Sequence, residues 1–372
     1  MSELPTDTPL PFVGLETVIL CRDPEAAARH LRTLLGLKLE RILPADDPTT
    51  AVVTGGAIRL RLEKSADADL STKLVLRTAD PALLAAYPDA IAVHGAGLIR
   101  LEPVEPVVEN PTPVRRVVIS RRAQDQAWIT GRAGMEYRDL IPDRLGGGFI
   151  ASHIRINEGG PVPDYVHYHH VHFQLIHCYR GWVRLVYEDQ GEPFILQAGD
   201  CVLQPPRIRH RVLEASDGLE VIELGVPAIH ETWADHEMPL PNNRVDPNRD
   251  FSGQRFVRHR AQNAVWQPGP LPFTDHRDTG IGAATAGVAS VTVWRANKAA
   301  AGTWQHQTPF WFGFVLAGMM TTQIGDDAPV SLSAGESLTV PTGTPIHWQA
   351  MTPDTEILSV NLPGSIGWTP VA

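Results

Sequence analysis

Cysteine is scarce in this chain of 372 residues: Cys21, Cys178 and Cys201 are three in number and far apart. An odd, dispersed set does not make a disulfide framework, so reduced thiols in a cytoplasmic protein are expected. Positive charge is short as well. Lys and Arg total 32 against 42 Asp and Glu, a formal net charge of −10, which repels phosphate backbones and anionic membrane surfaces. Neither nucleic acid nor a membrane is expected as a partner, and no basic patch or DNA-binding helix pair is visible. No apolar run approaches the ~18 residues of a membrane span. The opening MSELPTDTPLPF also lacks the basic segment and apolar core of a secretory signal.

What is plentiful points elsewhere. Gly and Pro, 31 and 32 residues, exceed the roughly 12% of average usage for the pair, and they mark turns rather than helix interiors. A turn-dense, strand-rich protein is the first expectation. With 43% hydrophobic residues the length supports sizeable cores, about two or three domains at ~100–200 residues each. The 15 histidines bear most on function, because many of them cluster.

Residues 1–101 read as a small α+β module. Thr17–Cys21 is expected as a strand and Pro24–Leu35 as an amphipathic helix with Asp23 at its N-cap and Gly36 as its stop. Strands follow at Lys38–Leu43, Ala51–Thr54, Ala57–Glu63 and Lys73–Arg77, then a helix from Asp80 towards Tyr87 and a strand near Gly97–Leu101. This order of elements resembles two abbreviated modules of the glyoxalase or vicinal-oxygen-chelate fold. The metal-bearing members of that family carry a His in the first strand, where this chain has Glu16 and Thr17, so a structural or interface role is expected. Residues 102–115, rich in Pro and Glu, read as a linker.

Beyond the linker the chain repeats itself. Arg122-Ala-Gln-x-x-x-Trp128 recurs as Arg260-Ala-Gln-x-x-x-Trp266, Arg138-Asp139 as Arg277-Asp278, and Gly181 as Gly318, at offsets of 138, 139 and 137 residues. Two homologous modules follow one another. Each is built of alternating strand patterns, such as Trp182–Tyr187 and Phe194–Gln197, with turns between them, as in an antiparallel sandwich or jelly roll.

In the first repeat His167 and His169 are followed by Gln174 and Gly181, then by Gly199, Pro205 and His210. The spacing is H-x-H, four residues, an amide, six residues, Gly; then Gly, five residues, Pro, four residues, His. This resembles the two motifs of the cupin superfamily. The resemblance implies two tandem jelly-roll barrels, the first (residues 116–240) holding a metal through His167, His169, Gln174 and His210, the second (241–372) degenerate. Gln174 departs from the pattern, since a carboxylate is the commoner residue there. Residues i and i+2 of a strand share a face, so His167 and His169 can hold one ion. Three imidazoles and an amide suit one divalent transition metal: Fe(II) is favoured, with Mn, Ni, Co or Zn as alternatives. Neutral ligands leave the ion's charge to an anionic substrate, an enolate, phenolate or carboxylate. His172 is a candidate to line the mouth, while His170 and His177 have the opposite strand parity and are expected outward or interfacial. Cys178 either lines the barrel or is an inert buried thiol.

In the second repeat the same register places Trp304, His306, Trp311 and Ile346 at the four ligand positions, too few ligands for a catalytic metal. The cluster Trp304, Phe310, Trp311, Phe312 and Phe314 is expected to fill the barrel. The Arg-Ala-Gln-x-x-x-Trp segments read as packing elements. Residues 228–240, with His230 and His236, read as an arm covering a neighbouring cupin. The functional expectation is a metal-dependent dioxygenase acting on a small enolisable or aromatic anion. Non-oxidative isomerase, cyclase or lyase chemistry and non-catalytic binding remain the alternatives. The partner is a small-molecule substrate, and homo-oligomerisation is left open.

Overall fold

The computed structural model describes residues 16–44, 48–66, 73–93, 97–104, 111–122, 128–364 and 367–371. The chain divides into two compact units, Met1–Val107 and Val108–Ala372.

In the first unit, strand Thr17–Cys21 leads into helix Pro24–Leu35. The Asp23 carboxylate accepts from the Ala26 N–H at 3.0 Å, and Pro24 occupies the first turn, where its missing N–H costs nothing. At the other end Gly36 takes φ 67°, and its N–H closes on the Arg32 carbonyl. The helix buries Ala27, Ala28 and Leu31 against Ile19, Val53 and Leu62. The sheet beneath it runs in the order Thr17–Cys21, Ile58–Lys64, Thr50–Gly55, Lys38–Leu43, with the first pair parallel. A smaller sheet sets Gly97–Pro103 between Lys73–Thr78 and Ile91–Val93. Its last strand runs two residues into the segment expected as linker.

The second unit is two tandem jelly-roll barrels, each a pair of facing antiparallel sheets. In the first, Phe173–Arg180, Leu219–Val226 and Ile150–Ile156 form the middle of one sheet, opposite Trp182–Tyr187, His210–Ala215 and His167–His169. In the second, Phe310–Ala317, Glu356–Leu362 and Ser290–Ala296 face Met319–Ile324, Ile346–Met351 and Thr303–His306. The period-2 pattern explains the layering: along Met319–Ile324, Met320, Thr322 and Ile324 are buried and the residues between them are not. The equivalent Gly181 and Gly318 both adopt positive φ. At Gly318 a Cβ would lie 2.7 Å from the Thr355 backbone, so only Gly fits the turn there.

The repeated segments ahead of each barrel cross over. Strand Val118–Ser120 pairs with Ser337–Val340 of the second barrel, and Val257–His259 pairs with Cys201–Leu203 of the first. The buried arginines of the Arg-Asp repeat complete the exchange. Arg138 donates to the Gly335 carbonyl at 2.6 Å, and Arg277 to the Gly199 carbonyl at 3.1 Å. One continuous apolar core joins the barrels, with Phe149 stacked on Phe310 at 3.7 Å between ring centroids. Among the described residues no helix is long and apolar enough to cross a membrane.

Candidate metal centre

Strand register places the histidines. His167–His169 lies between His210–Ala215 and Thr232–Ala234, with His167 directly opposite His210. Ring centroids are 4.2 Å apart for His167 and His210, 5.3 Å for His169 and His210, and 5.2 Å for His167 and His169. One nitrogen from each ring falls within 4.8 Å of the other two.

The hydrogen bonds select a tautomer. His167 Nδ1 lies 2.8 Å from the Tyr165 carbonyl and His210 Nδ1 lies 3.0 Å from the Ile208 carbonyl, so both donate through Nδ1 and keep an Nε2 lone pair. His169 Nδ1 is 3.0 Å from the Thr232 hydroxyl, which can accept in the same sense. The Arg132 guanidinium, a donor only, lies 3.0 Å from His167 Nε2 and confirms that this nitrogen accepts. Arg132 is itself held by the buried Asp164, which also accepts from the Val212 N–H. Burial pushes His169 and His210 well below the ordinary imidazole range, and the neighbouring His167 adds to it in both. His167 is lowered by burial and then by Arg132. Neutral rings oriented by carbonyls through Nδ1 are what a divalent ion requires.

The three rings border a cavity of about 290 Å³. Its walls are aliphatic, among them Ile154, Ile176, Leu185, Val212 and Val221, and its polar groups include Arg132, Tyr187, Gln204, Glu223, His230 and Thr232. Gln174 is buried on the facing sheet and does not border the cavity; its amide nitrogen donates to Glu223 at 2.5 Å.

Several side chains lie elsewhere than expected. His172 is exposed and away from the cavity, because the chain turns between His169 and Phe173. His170, expected outward or interfacial, is buried with its ring stacked on Trp233 at 5.6 Å. The arm bearing His230 covers its own barrel rather than a neighbouring one: Thr232–Ala234 pairs with His167–His169, and the His230 ring lies 5.5 Å from His169. His177 is buried next to Arg277 and His259, at the join between the barrels. Cys178 is fully buried, its thiol pushed up to about 12 by burial, and takes no part in the cavity. In the second barrel His306 Nε2 lies 2.9 Å from the Val340 carbonyl, and Trp311, Trp348 and Ile346 pack the interior.

Sequence reasoning missed Glu223 and Arg132 and assigned His230 to an arm over a neighbouring cupin instead of to this cavity. Glu223 continues the inward alternation of Leu219 and Val221, a signal visible once that strand's buried face is known. Arg132 comes from an irregular turn ahead of the barrel, where spacing carries no information.

A family profile described as a cupin domain matches residues 152–224, the segment that carries His167, His169, Gln174 and His210. The match lies within the first jelly-roll barrel and makes that segment similar to a cupin domain. No curated protein matches the chain in sequence. An 11S globulin from Wrightia tinctoria, described with an auxin binding site, superposes with TM-score 0.51 at 14% identity, over 70% of this chain and 86% of its own. Procruciferin, the 11S globulin of Brassica napus, gives 0.50 at 12% identity, over 70% and 87%. A salicylate 1,2-dioxygenase from Pseudaminobacter salicylatoxidans gives 0.49 at 15% identity, over 68% and 86%. At such identities the likeness concerns the fold alone.

Proposed function

We propose that the first barrel is the active site of a metal-dependent enzyme in which His167, His169 and His210 hold one divalent transition ion, Fe(II) favoured. The observation that carries this reading is the convergence of three neutral imidazoles, His167 and His210 buried and His169 half-buried, two of them fixed through Nδ1 by backbone carbonyls, on the wall of an apolar cavity. In this reading Gln174 orients Glu223 instead of binding the ion. When bound, such an ion supplies electron transfer and open coordination positions.

The reaction we propose is dioxygenation of a small enolisable or aromatic molecule that binds through an oxygen as an anion. Three neutral ligands leave the ion's charge uncompensated, and the aliphatic walls keep water from screening it. Arg132 donates to the atom of His167 that the ion would use. The two are alternatives there, and a released guanidinium is placed to meet the substrate's negative end. We read residues 1–101 as a glyoxalase-like module serving assembly, 102–115 as the linker, 116–240 as the metal-binding cupin and 241–372 as the degenerate one, in a homo-oligomer.

The test is metal analysis of protein purified without added metal, followed by oxygen-electrode assays over small phenols, aromatic acids and enolisable carbonyls. One equivalent of metal per chain, lost in His210→Ala, and aerobic turnover are expected. Equal metal content in the variant overturns the site. Equal turnover without O₂ overturns the dioxygenase in favour of non-oxidative chemistry.

A further inference from the structure

Glu223 has no place in the metal set, yet it stands in the wall of the same cavity. Strand Leu219–Val226 sends Leu219, Val221 and Glu223 inward, two apolar residues and then a carboxylate. Its Oε1 accepts from the Gln174 amide at 2.5 Å, and among the described residues no other donor or cation reaches the carboxylate within hydrogen-bonding distance. A half-buried carboxylate that holds a single neutral donor has lone pairs left for a further donor. Two other polar groups of the cavity are already engaged, Gln204 donating to the Tyr187 hydroxyl at 2.9 Å and Thr232 lying against His169, while the Tyr137 phenol lines the same cavity within reach of the Glu223 charge.

We infer that Glu223 is the specificity-determining residue of the cavity and accepts a hydrogen bond from a substrate hydroxyl. Gln174 is its positioning residue, holding one carboxylate oxygen so that the other is offered to the cavity. The substrate class this defines is a small, largely apolar molecule with one oxygen at the histidine end and a neighbouring O–H, a phenol or enol. The inference rests on the metal-site reading above and deepens it. A site built to pair with a hydroxyl rejects the analogue lacking it, because its own polar group is then left unpaired.

The experiment compares binding of catechol and of 2-methoxyphenol to the zinc-loaded full-length chain by calorimetry. The two probes differ in one O–H, and comparing protein forms cancels the ion's own preference between them. Wild type is expected to favour catechol, and Glu223→Ala and Glu223→Leu to reduce that preference at least tenfold with zinc content unchanged. Gln174→Leu should reduce it by less, and Glu223→Gln, which keeps an acceptor oxygen, should retain part of it. A preference within twofold of wild type in both Glu223→Ala and Glu223→Leu overturns the inference, as does failure of either phenol to bind the zinc-loaded wild type. Zinc content is the separate arm: a wild type that takes up no zinc, or a His210→Ala chain that keeps it, refutes the metal site itself.

Discussion

His177 offers the sharpest test of the electrostatics between the barrels. It is fully buried, neither ring nitrogen has a hydrogen-bond partner, and the charges of Arg277 and His259 act on it. Burial lowers it to about 3, whereas an unfolded histidine titrates near 6.5. Between those values the unfolded chain binds a proton that the folded chain refuses, so stability is fully present above about pH 6.5 and is lost as the pH falls towards 3. At pH 5 the unfolded side chain is protonated about 30 to 1, a loss of about 2 kcal/mol relative to pH 7. Two unsatisfied ring nitrogens add a cost of about 1–3 kcal/mol at neutral pH, which an apolar side chain of similar volume would not incur. His177→Leu is therefore expected to stabilise the chain by roughly 1–3 kcal/mol at pH 7 and by about 2 kcal/mol more at pH 5. Urea unfolding of wild type and variant at the two pH values measures both terms. A variant less stable at pH 7, with the same pH dependence as wild type, would show that the imidazole is satisfied in solution and that the reasoning fails.

Three further outcomes are expected. His167→Ala and His210→Ala should each abolish tight metal binding, while Gln174→Ala retains most of it, as measured by metal content after gel filtration; loss in Gln174→Ala as complete as in His210→Ala would make the amide a ligand. Removing either crossed arginine, Arg138→Ala or Arg277→Ala, strips a buried carbonyl of its donor at Gly335 or Gly199. Each should cost about 2–4 kcal/mol in chemical denaturation, whereas a change under 0.5 kcal/mol would deny them a bracing role. Burial raises Cys21 to about 11 and Cys178 and Cys201 to about 12, so a thiol reagent should label none of them in native protein at pH 8 and all three after denaturation.

Much of this protein is legible along the chain, because the relevant interactions are local or repeat at a fixed spacing. The Asp23 cap, Pro24 and Gly36 delimit their helix through contacts within a few residues. The i, i+2 spacing of His167 and His169 and the landmarks Gly181, Gly199 and Pro205 are matters of strand parity and turns, and the near-constant offset between repeats announces a doubled barrel. What the sequence could not decide is which side chains share a space when their separation depends on sheet pairing. Gln174 bonds Glu223, 49 residues away, because of the register between their two strands. Arg132 reaches His167 from an irregular turn that spacing does not mark. The arm with His230 folds back over its own barrel, where spacing alone allowed a neighbour. The exchange of Val118–Ser120 and Val257–His259 leaves no local signature either, since a short strand pairs as well with one edge as with another until the rest of the sheet is in place. Local chemistry thus set the elements and the histidine pair, and long-range register decided what faces them across the cavity.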